Sequence, residues 1–437
     1  MTRFALTAGG VAVGFAAGLV VLAHADTAPD SQSAYRALDR FGQAFSIVRT
    51  DYIDEPDDKL LIENALNGMI SSLDPHSSYF DPKSFADMQV RTEGQYGGVG
   101  IVISVEGSAI KVVAPIDDTP GAKAGIKSGD IILAVDGKGL QGMSLDQVQL
   151  LLRGKPGSRV TLTLMRGGDN KSFDVKLERA AIEVEAVKSH REGDVGYIRI
   201  PAFNEHTDTG LEAAVKALKK QIGASLKGYV IDLRDDGGGV LDQAIAVSDD
   251  FLNSGEIVST RGRLPSDTQR YDARPGDITD GKPVVVLINR GTASASEIVA
   301  GALQDHKRAR IVGMTSFGKG SVQTIIPING GEDGALHLTT ARYYTPSGRS
   351  IQATGIVPDI AVAEGNETDQ TRAENYTEAD LPHHLQGEEG AAPATAPTTE
   401  PIRPPTGKKI DDFQLAYAVD LLDGKVAAKA GPTEANK

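Results

Sequence analysis

The chain has 437 residues, no Cys and 8 His, and its 45 Lys+Arg against 59 Asp+Glu give a net charge of −14. This excludes a disulfide framework, a thiolate metal site, an iron–sulfur cluster and a cysteine nucleophile. It also excludes a domain-wide basic footprint for nucleic acid. The length suits about three domains, and 49 Gly, above the roughly 7% of average usage, announce tight turns and close backbone approaches.

Arg3 precedes an uncharged apolar run from Phe4 to Ala23, and Ala23-His24-Ala25 reads as a small-x-small cleavage site. Residues 1–25 are therefore expected to be a secretory signal peptide or an N-terminal membrane anchor, since twenty apolar residues just span a bilayer. Either way the rest of the chain is exported.

Residues 34–96 read as a helical N-terminal domain. Leu38, Phe41, Phe45 and Val48 recur at helical spacing, as do Ile62, Leu66, Met69 and Leu73. The second helix stops at Asp74-Pro75, because proline disfavours helix in the residue before it.

Residues 97–182 change to short β-rich runs. Gly97-Gly98-Val99-Gly100 leads into Ile101–Val105, Ile131–Val135 precedes an Asp136-Gly137 turn, and Val160–Leu164 alternates like a half-buried strand. A helix over 144–153 carries Ser144 as N-cap with Gln147 three residues on. Residues 183–363 alternate strands at 196–200, 229–233, 284–288 and 311–313 with helices over 208–222 and 294–306, which predicts an α/β core. Residues 364–408, with six Pro and little apolar content, read as a disordered linker. Residues 409–437 regain a helical pattern through Leu415, Val419 and Leu422; this helix is expected to dock on the N-terminal helices or on a second copy.

Three places suit chemistry. The glycine loop at Gly97, Gly98, Val99, Gly100 and Ile101 can form an anion nest beside a strand edge, where a peptide adds as a strand and leaves its terminal carboxylate in the loop. The run Asn289-Arg290-Gly291-Thr292-Ala293-Ser294-Ala295-Ser296-Glu297-Ile298 lies between a strand and a helix, where the helix N-terminus favours developing negative charge. It is not the Gly-x-Ser-x-Gly elbow, and a plain N-cap serine has the same spacing. In Ser316-Phe317-Gly318-Lys319-Gly320-Ser321-Val322-Gln323, Met314 occupies the position at which a phosphate loop needs Gly. Burial there would lower the Lys319 pKa and make its neutral amine a general base toward a serine. No His spacing suits a metal, and a Ser-His-Asp triad through His306 or His337 stays open at this point.

The string from Thr119 to Ile132 with Val135-Asp136-Gly137 resembles the core of a PDZ domain. Thr292–Ile298 with Phe317-Gly318-Lys319-Gly320, together with Ser72-Leu73-Asp74-Pro75-His76-Ser77-Ser78-Tyr79 and Asp232-Leu233-Arg234-Asp235-Asp236-Gly237-Gly238-Gly239, resembles the C-terminal processing (tail-specific) proteases, PDZ-containing serine–lysine peptidases. The resemblance spans about residues 35–363. It implies an α/β multidomain chain, with a PDZ domain inserted between a helical N-terminal segment and an α/β (crotonase-like) serine protease core. It further implies Ser294 as nucleophile with Ser296 as rival, Lys319 as general base, Gln323 orienting the lysine, and an oxyanion hole at Ala295 and Gly238. This chain departs from the family's Asn-Pro-Gly-Gly, having Asp236-Gly237-Gly238-Gly239, and the missing proline lowers the rigidity of that turn.

The implied activity is an exported serine endopeptidase of the bacterial cell envelope, on the periplasmic side, that recognises protein C-terminal tails and needs no cofactor and no metal. PDZ occupancy is expected to gate the site through an Arg such as Arg153 or Arg166. An adaptor protein and a homo-oligomer are candidate partners; nucleic acid is not. The alternative is a non-catalytic PDZ scaffold that presents partners to another envelope enzyme.

Overall fold

Alternating side chains of one strand explain the layering of the main domain. Along a strand at 284–288, Val284, Val286 and Ile288 enter one apolar core, and Val285 and Leu287 enter another, as the two-residue period of a strand requires. A sheet buried on both faces needs a cover on each. The structure, a computed structural model, describes residues 31–106, 109–116, 118–141, 143, 145–166, 171–183, 185–365, 377–387, 400–405 and 410–426. The expected export segment 1–25 and the expected N-cap Ser144 lie outside the described residues. Among those residues no helix is long and apolar enough to cross a membrane.

The chain divides into two compact units, Met1–Leu66 and Asn67–Lys437. The first holds α1 (Ser31–Asp51) and the start of α2 (Asp58–Ser71). Leu38, Phe41, Ile47 and Val48 of α1 are exposed.

In the second unit come β1 (Ser78–Phe80), α3 (Pro82–Glu93) and β2 (Gln95–Gly98). Asp81 caps α3 by accepting the Ser84 N–H, and Gly94 ends it in the left-handed region. A sheet then forms from β3 (Ile101–Glu106), β4 (Ala109–Pro115), β5 (Ile131–Val135), β6 (Lys138–Gly139), β7 (Arg159–Met165) and β8 (Ser172–Glu178), with α4 (Pro120–Lys123) and α5 (Leu145–Leu152). Its core includes Ile110, Val112, Val148, Leu162 and Leu164. The chain leaves through β9 (Ala180–Glu183), which pairs antiparallel with β2, Gln95 opposite Glu183 and Gly98 opposite Ala180. This two-stranded neck shows that the domain is an insertion. β1, placed on sequence grounds with the N-terminal helices, hydrogen-bonds instead to a strand of the main domain, β18, described below.

The main sheet has six strands in the order β10 (Lys188–Glu192), β11 (Val195–Arg199), β12 (Gly228–Asp232), β15 (Val284–Ile288), β16 (Ala309–Gly313) and β19 (Ile360–Ala361). All neighbours are parallel except β10 with β11. One face packs on α6 (Thr207–Ile222), α7 (Leu241–Asp249) and α8 (Ala295–Asp305). The other is covered by α9 (Phe413–Leu422), whose Phe413, Tyr417 and Ala418 are buried against Val230, Val285 and Val312. The C-terminal helix, for which the sequence offered the N-terminal helices or a second copy as partners, packs on its own sheet and buries that apolar face.

A second, antiparallel sheet has β13 (Glu256–Gly262), β14 (Gln269–Asp272), β17 (Ser321–Pro327) and β18 (Ala335–Tyr344) joined by β1. No sequence signal announced it. β18 is partly buried along most of its length and so lacks clean alternation. Part of the expected 364–408 linker is also packed. Glu378 is fully buried, and Ile402 bridges to Val362.

Candidate active site

Two loops leave the carboxyl ends of the adjacent parallel strands β12 and β15, the edge at which open α/β sheets place their sites. Asn289 ties them together: its Oδ1 accepts the Asp235 N–H at 2.9 Å and its Nδ2 donates to Asp235 Oδ1 at 2.9 Å. Thr292 Oγ1 donates to the Leu233 carbonyl at 2.7 Å. These bonds fix the turn that delivers Ser294 to the start of α8.

Ser294 has φ 56° and ψ −117°, a conformation that costs a non-glycine residue roughly 1–3 kcal/mol and persists only where the surroundings impose it. The buried Glu297 accepts the Ser294 N–H at 2.8 Å, and Tyr343 Oη donates to the Ser294 carbonyl at 3.1 Å. The Ser294 side chain makes no capping bond, so its hydroxyl is not consumed by the helix. Ser296 differs: it is fully buried and donates to the Asp236 carbonyl at 3.2 Å.

Lys319 lies on the loop between β16 and β17. The Glu297 carboxylate accepts the Lys319 N–H at 2.9 Å, the Gly318 N–H at 2.8 Å and Ser316 Oγ at 2.5 Å. The single Tyr343 hydroxyl proton is shared between the Ser294 carbonyl and the Lys319 carbonyl, the latter closer at 2.7 Å. One carboxylate and one phenol thus hold the serine turn and the lysine loop in a fixed relation. Burial raises the Glu297 pKa to about 7, against the four hydrogen bonds that favour its charge. Burial lowers the Lys319 pKa, and Glu378, Glu297 and Asp74 partly oppose it. No carboxylate among the described residues pairs directly with its ammonium.

Ser294, Lys319, Gln323, Ala295 and Gly238 line one cavity of 490 Å³, together with His337 and Tyr343. Gln323 Nε2 donates to Ser321 Oγ at 2.9 Å and Thr339 Oγ1 at 3.1 Å. This leaves the amide oxygen as its acceptor toward the cavity. The Ala295 N–H is in the first turn of α8 and has no acceptor within the helix. The Gly238 N–H donates to Asp236 Oδ1 at 2.8 Å. A Cβ at Gly238, where φ is 91°, would stand 2.9 Å from Ser294 Cβ and 2.8 Å from the Ala295 nitrogen, so only glycine fits against the serine turn.

Of the two histidines, His306 is held by the Glu256 carbonyl at 2.7 Å, at the far end of α8 from Ser294. His337 is on the cavity wall; burial and Lys319 hold its pKa below the usual value. Among the described residues no three His, Asp or Glu are grouped to hold a metal.

The second groove, of 230 Å³, is in the inserted domain between β3 and α5 and is lined by Gly98, Val99, Gly100, Ile101, Ile103, Leu152 and Arg153. Gly97, at the start of the same loop, pairs with Ala181 in the neck. Gly100 has φ 70°, and a Cβ there would meet Thr119 at 2.2 Å. Arg166 is taken by Asp130, Nε to Oδ1 at 2.7 Å and Nη2 to Oδ2 at 2.7 Å. Arg153 stacks over Tyr96, 5.1 Å from the ring centre, at the neck.

Residues 194–362 match the model of peptidase family S41, 97–177 that of the PDZ domain, and 20–84 that of the activating protease CtpB N-terminal domain. The carboxy-terminal-processing protease of Bartonella bacilliformis is 51% identical over 429 residues, covering 96% of each chain. The chain belongs to the carboxy-terminal-processing proteases of peptidase family S41. It is a serine-type peptidase with its PDZ domain between the N-terminal segment and the protease core. The carboxy-terminal processing protease CtpA of Bacillus subtilis is 36% identical over 326 residues, 74% of this chain and 68% of its own. The solved photosystem II D1 C-terminal processing protease is 29% identical and covers 81% of this chain and 98% of its own, with a TM-score of 0.43.

Four residues of this carboxy-terminal-processing protease escaped the sequence reading of the site. Glu297 carried a signal, the Ser-x-x-Glu spacing of a capping box. Tyr343 and Glu378 carried none, since their partners are remote in sequence; the Asp236 side chain bonds the Gly238 N–H two residues on, and it is its full burial that no local signal announced. Glu378 Oε2 is 2.7 Å from His76 Nε2, its Oε1 accepts from Gln352 Nε2 at 2.8 Å, and its N–H donates to the Phe317 carbonyl at 3.1 Å. Gln352 in turn accepts the Gly320 N–H at 2.9 Å, so the lysine loop is fastened on both sides of Lys319.

Proposed function

We propose that the protein is an exported endopeptidase that recognises protein C-terminal tails through its PDZ groove and cuts them by a serine–lysine acyl-enzyme mechanism. The observation that carries this reading is the shared cavity of Ser294 and Lys319, whose loops are locked together by Glu297 and Tyr343. Neutral Lys319 takes the Ser294 proton as the hydroxyl attacks the scissile carbonyl. The Ala295 N–H and the Gly238 turn stabilise the oxyanion. Lys319 returns the proton to the leaving amine, and water hydrolyses the acyl-enzyme with Lys319 again as base. Gln323 orients the lysine through its amide oxygen.

The Gly97–Ile101 loop and the β3 edge suit a peptide added as a strand with its carboxylate in the loop. The Arg3–Ala25 pattern supports export to the periplasmic side of a bacterial envelope. The exposed apolar residues of α1 suit a second copy or an adaptor. The test is cleavage of a substrate with an apolar C-terminal tail by wild type, Ser294→Ala and Lys319→Ala. Both variants should lose about 10⁴-fold or more in kcat; activity that survives both changes refutes the dyad.

A further inference from the structure

The turn at Asp236 is joined to the serine turn by two hydrogen bonds and closed on itself by a third. The Asp236 carbonyl accepts the Ala293 N–H at 2.9 Å and Ser296 Oγ at 3.2 Å, on either side of Ser294 in sequence. Its Oδ1 accepts the Gly238 N–H at 2.8 Å. The residue is fully buried, and Oδ2 has no hydrogen-bond partner. The ionised carboxylate is favoured by the Gly238 N–H first and by the Ser296 hydroxyl second, and its turn packs against Ser294, where an oxyanion on an attacked carbonyl would form.

We propose that Asp236 is a positioning residue whose ionised carboxylate withholds the Gly238 N–H from the oxyanion, and whose protonated form releases it. The inference rests on the serine–lysine reading. A charged acceptor binds an N–H about twice as strongly as a neutral one. The ionised side chain therefore outcompetes a substrate carbonyl and adds like-charge repulsion to the transition state. The neutral acid is a weaker acceptor and carries no charge. The proton is exchanged with solvent, so the reaction's own proton balance is unchanged.

The charged group acting on Asp236 is Arg199, which favours the ionised form but is shared with the Asp232 carbonyl at 3.3 Å and Oδ1 at 3.4 Å. Glu297 is on the first turn of α8, and Lys319 is across the cavity. Burial outweighs Arg199 and raises the Asp236 pKa to about 7, within the range in which the enzyme can be assayed.

Asp236→Asn keeps an oxygen acceptor of the same length and removes the charge. The experiment measures kcat and KM for a tailed peptide from pH 5.5 to 9 for full-length wild type and Asp236→Asn, with Ser294→Ala as blank. The kcat ratio of variant to wild type should be close to one below about pH 6 and rise about tenfold through pH 7, with KM unchanged. A ratio that is flat, or that falls with pH, overturns the inference. If Asp236→Asn does not fold, the wild-type profile decides: acylation must show a descending inflection near pH 7, and its absence is equally fatal. Cleavage not abolished in Ser294→Ala refutes the underlying reading instead, whatever the ratio.

Discussion

The Glu297 carboxylate accepts the backbone N–H of Lys319 at 2.9 Å across 22 residues of sequence. The same oxygen accepts the Ser294 N–H at 2.8 Å. A buried acid, and not the strand order alone, sets the spacing between the two reactive loops. Glu297→Gln replaces an acceptor-only group by one that carries an NH₂ facing N–H donors. Kcat should fall roughly tenfold to a hundredfold, and unfolding free energy by about 1–3 kcal/mol for a donor left unpaired. Parallel kinetics and urea unfolding measure both.

The same carboxyl makes a pH prediction for stability. Its pKa is raised from 4.5 to about 7 on folding, so between these values the folded state binds the extra proton. Its contribution is fully present below pH 4.5 and is lost as pH rises through 7. The difference in melting temperature between wild type and Glu297→Gln should change across pH 4.5–7 and level off above it. A constant difference over that window contradicts the assignment.

Lys319 acts as a base only when neutral. Burial lowers its pKa, so in Asp236→Asn, which lacks the descent through pH 7, kcat should rise with pH along a limb centred below the ordinary lysine value. Lys319→Arg should be inactive at every pH, because guanidinium stays charged.

Glu378 raises the Lys319 pKa through its charge. Glu378→Gln should shift the rising limb of kcat to lower pH, and a limb that stays in place separates Glu378 from the lysine. The His76 contact at 2.7 Å would loosen in the same variant, so thermal unfolding is the accompanying control.

Tyr343 bridges the Ser294 and Lys319 carbonyls. Tyr343→Phe keeps the ring and removes both bonds. Stability should fall by about 1 kcal/mol and kcat about tenfold, with KM nearly unchanged. An equal loss in KM would mean that the phenol serves substrate binding instead.

The main features of the fold were legible where the signal is local. The strand at 284–288 has its sequence bounds in the structure, because five consecutive apolar residues bounded by turn residues leave no other reading. Helix α8 begins one residue after Ser294 and ends one before His306. The antiparallel sheet through β13, β14, β17 and β18 was not legible. β13–β14 and β17–β18 are local hairpins, but the hairpins meet each other, and β1, only across long stretches of chain, and β18 has no clean alternation of buried and exposed side chains.

By itself the sequence determined the chemistry on offer: no thiol, a serine at a strand-to-helix turn, a lysine among glycines, and a glycine loop beside a strand. Those are properties of short segments, set by residue type and spacing. Tertiary structure decided which of them meet. Ser294 reaches the cavity and Ser296 does not, because an imposed φ of 56° turns one outward while packing buries the other. His76 meets Glu378 across 302 residues, and α9 covers its own sheet. Such pairings depend on burying apolar faces and satisfying polar atoms throughout the chain at once, and no local window of sequence contains that information.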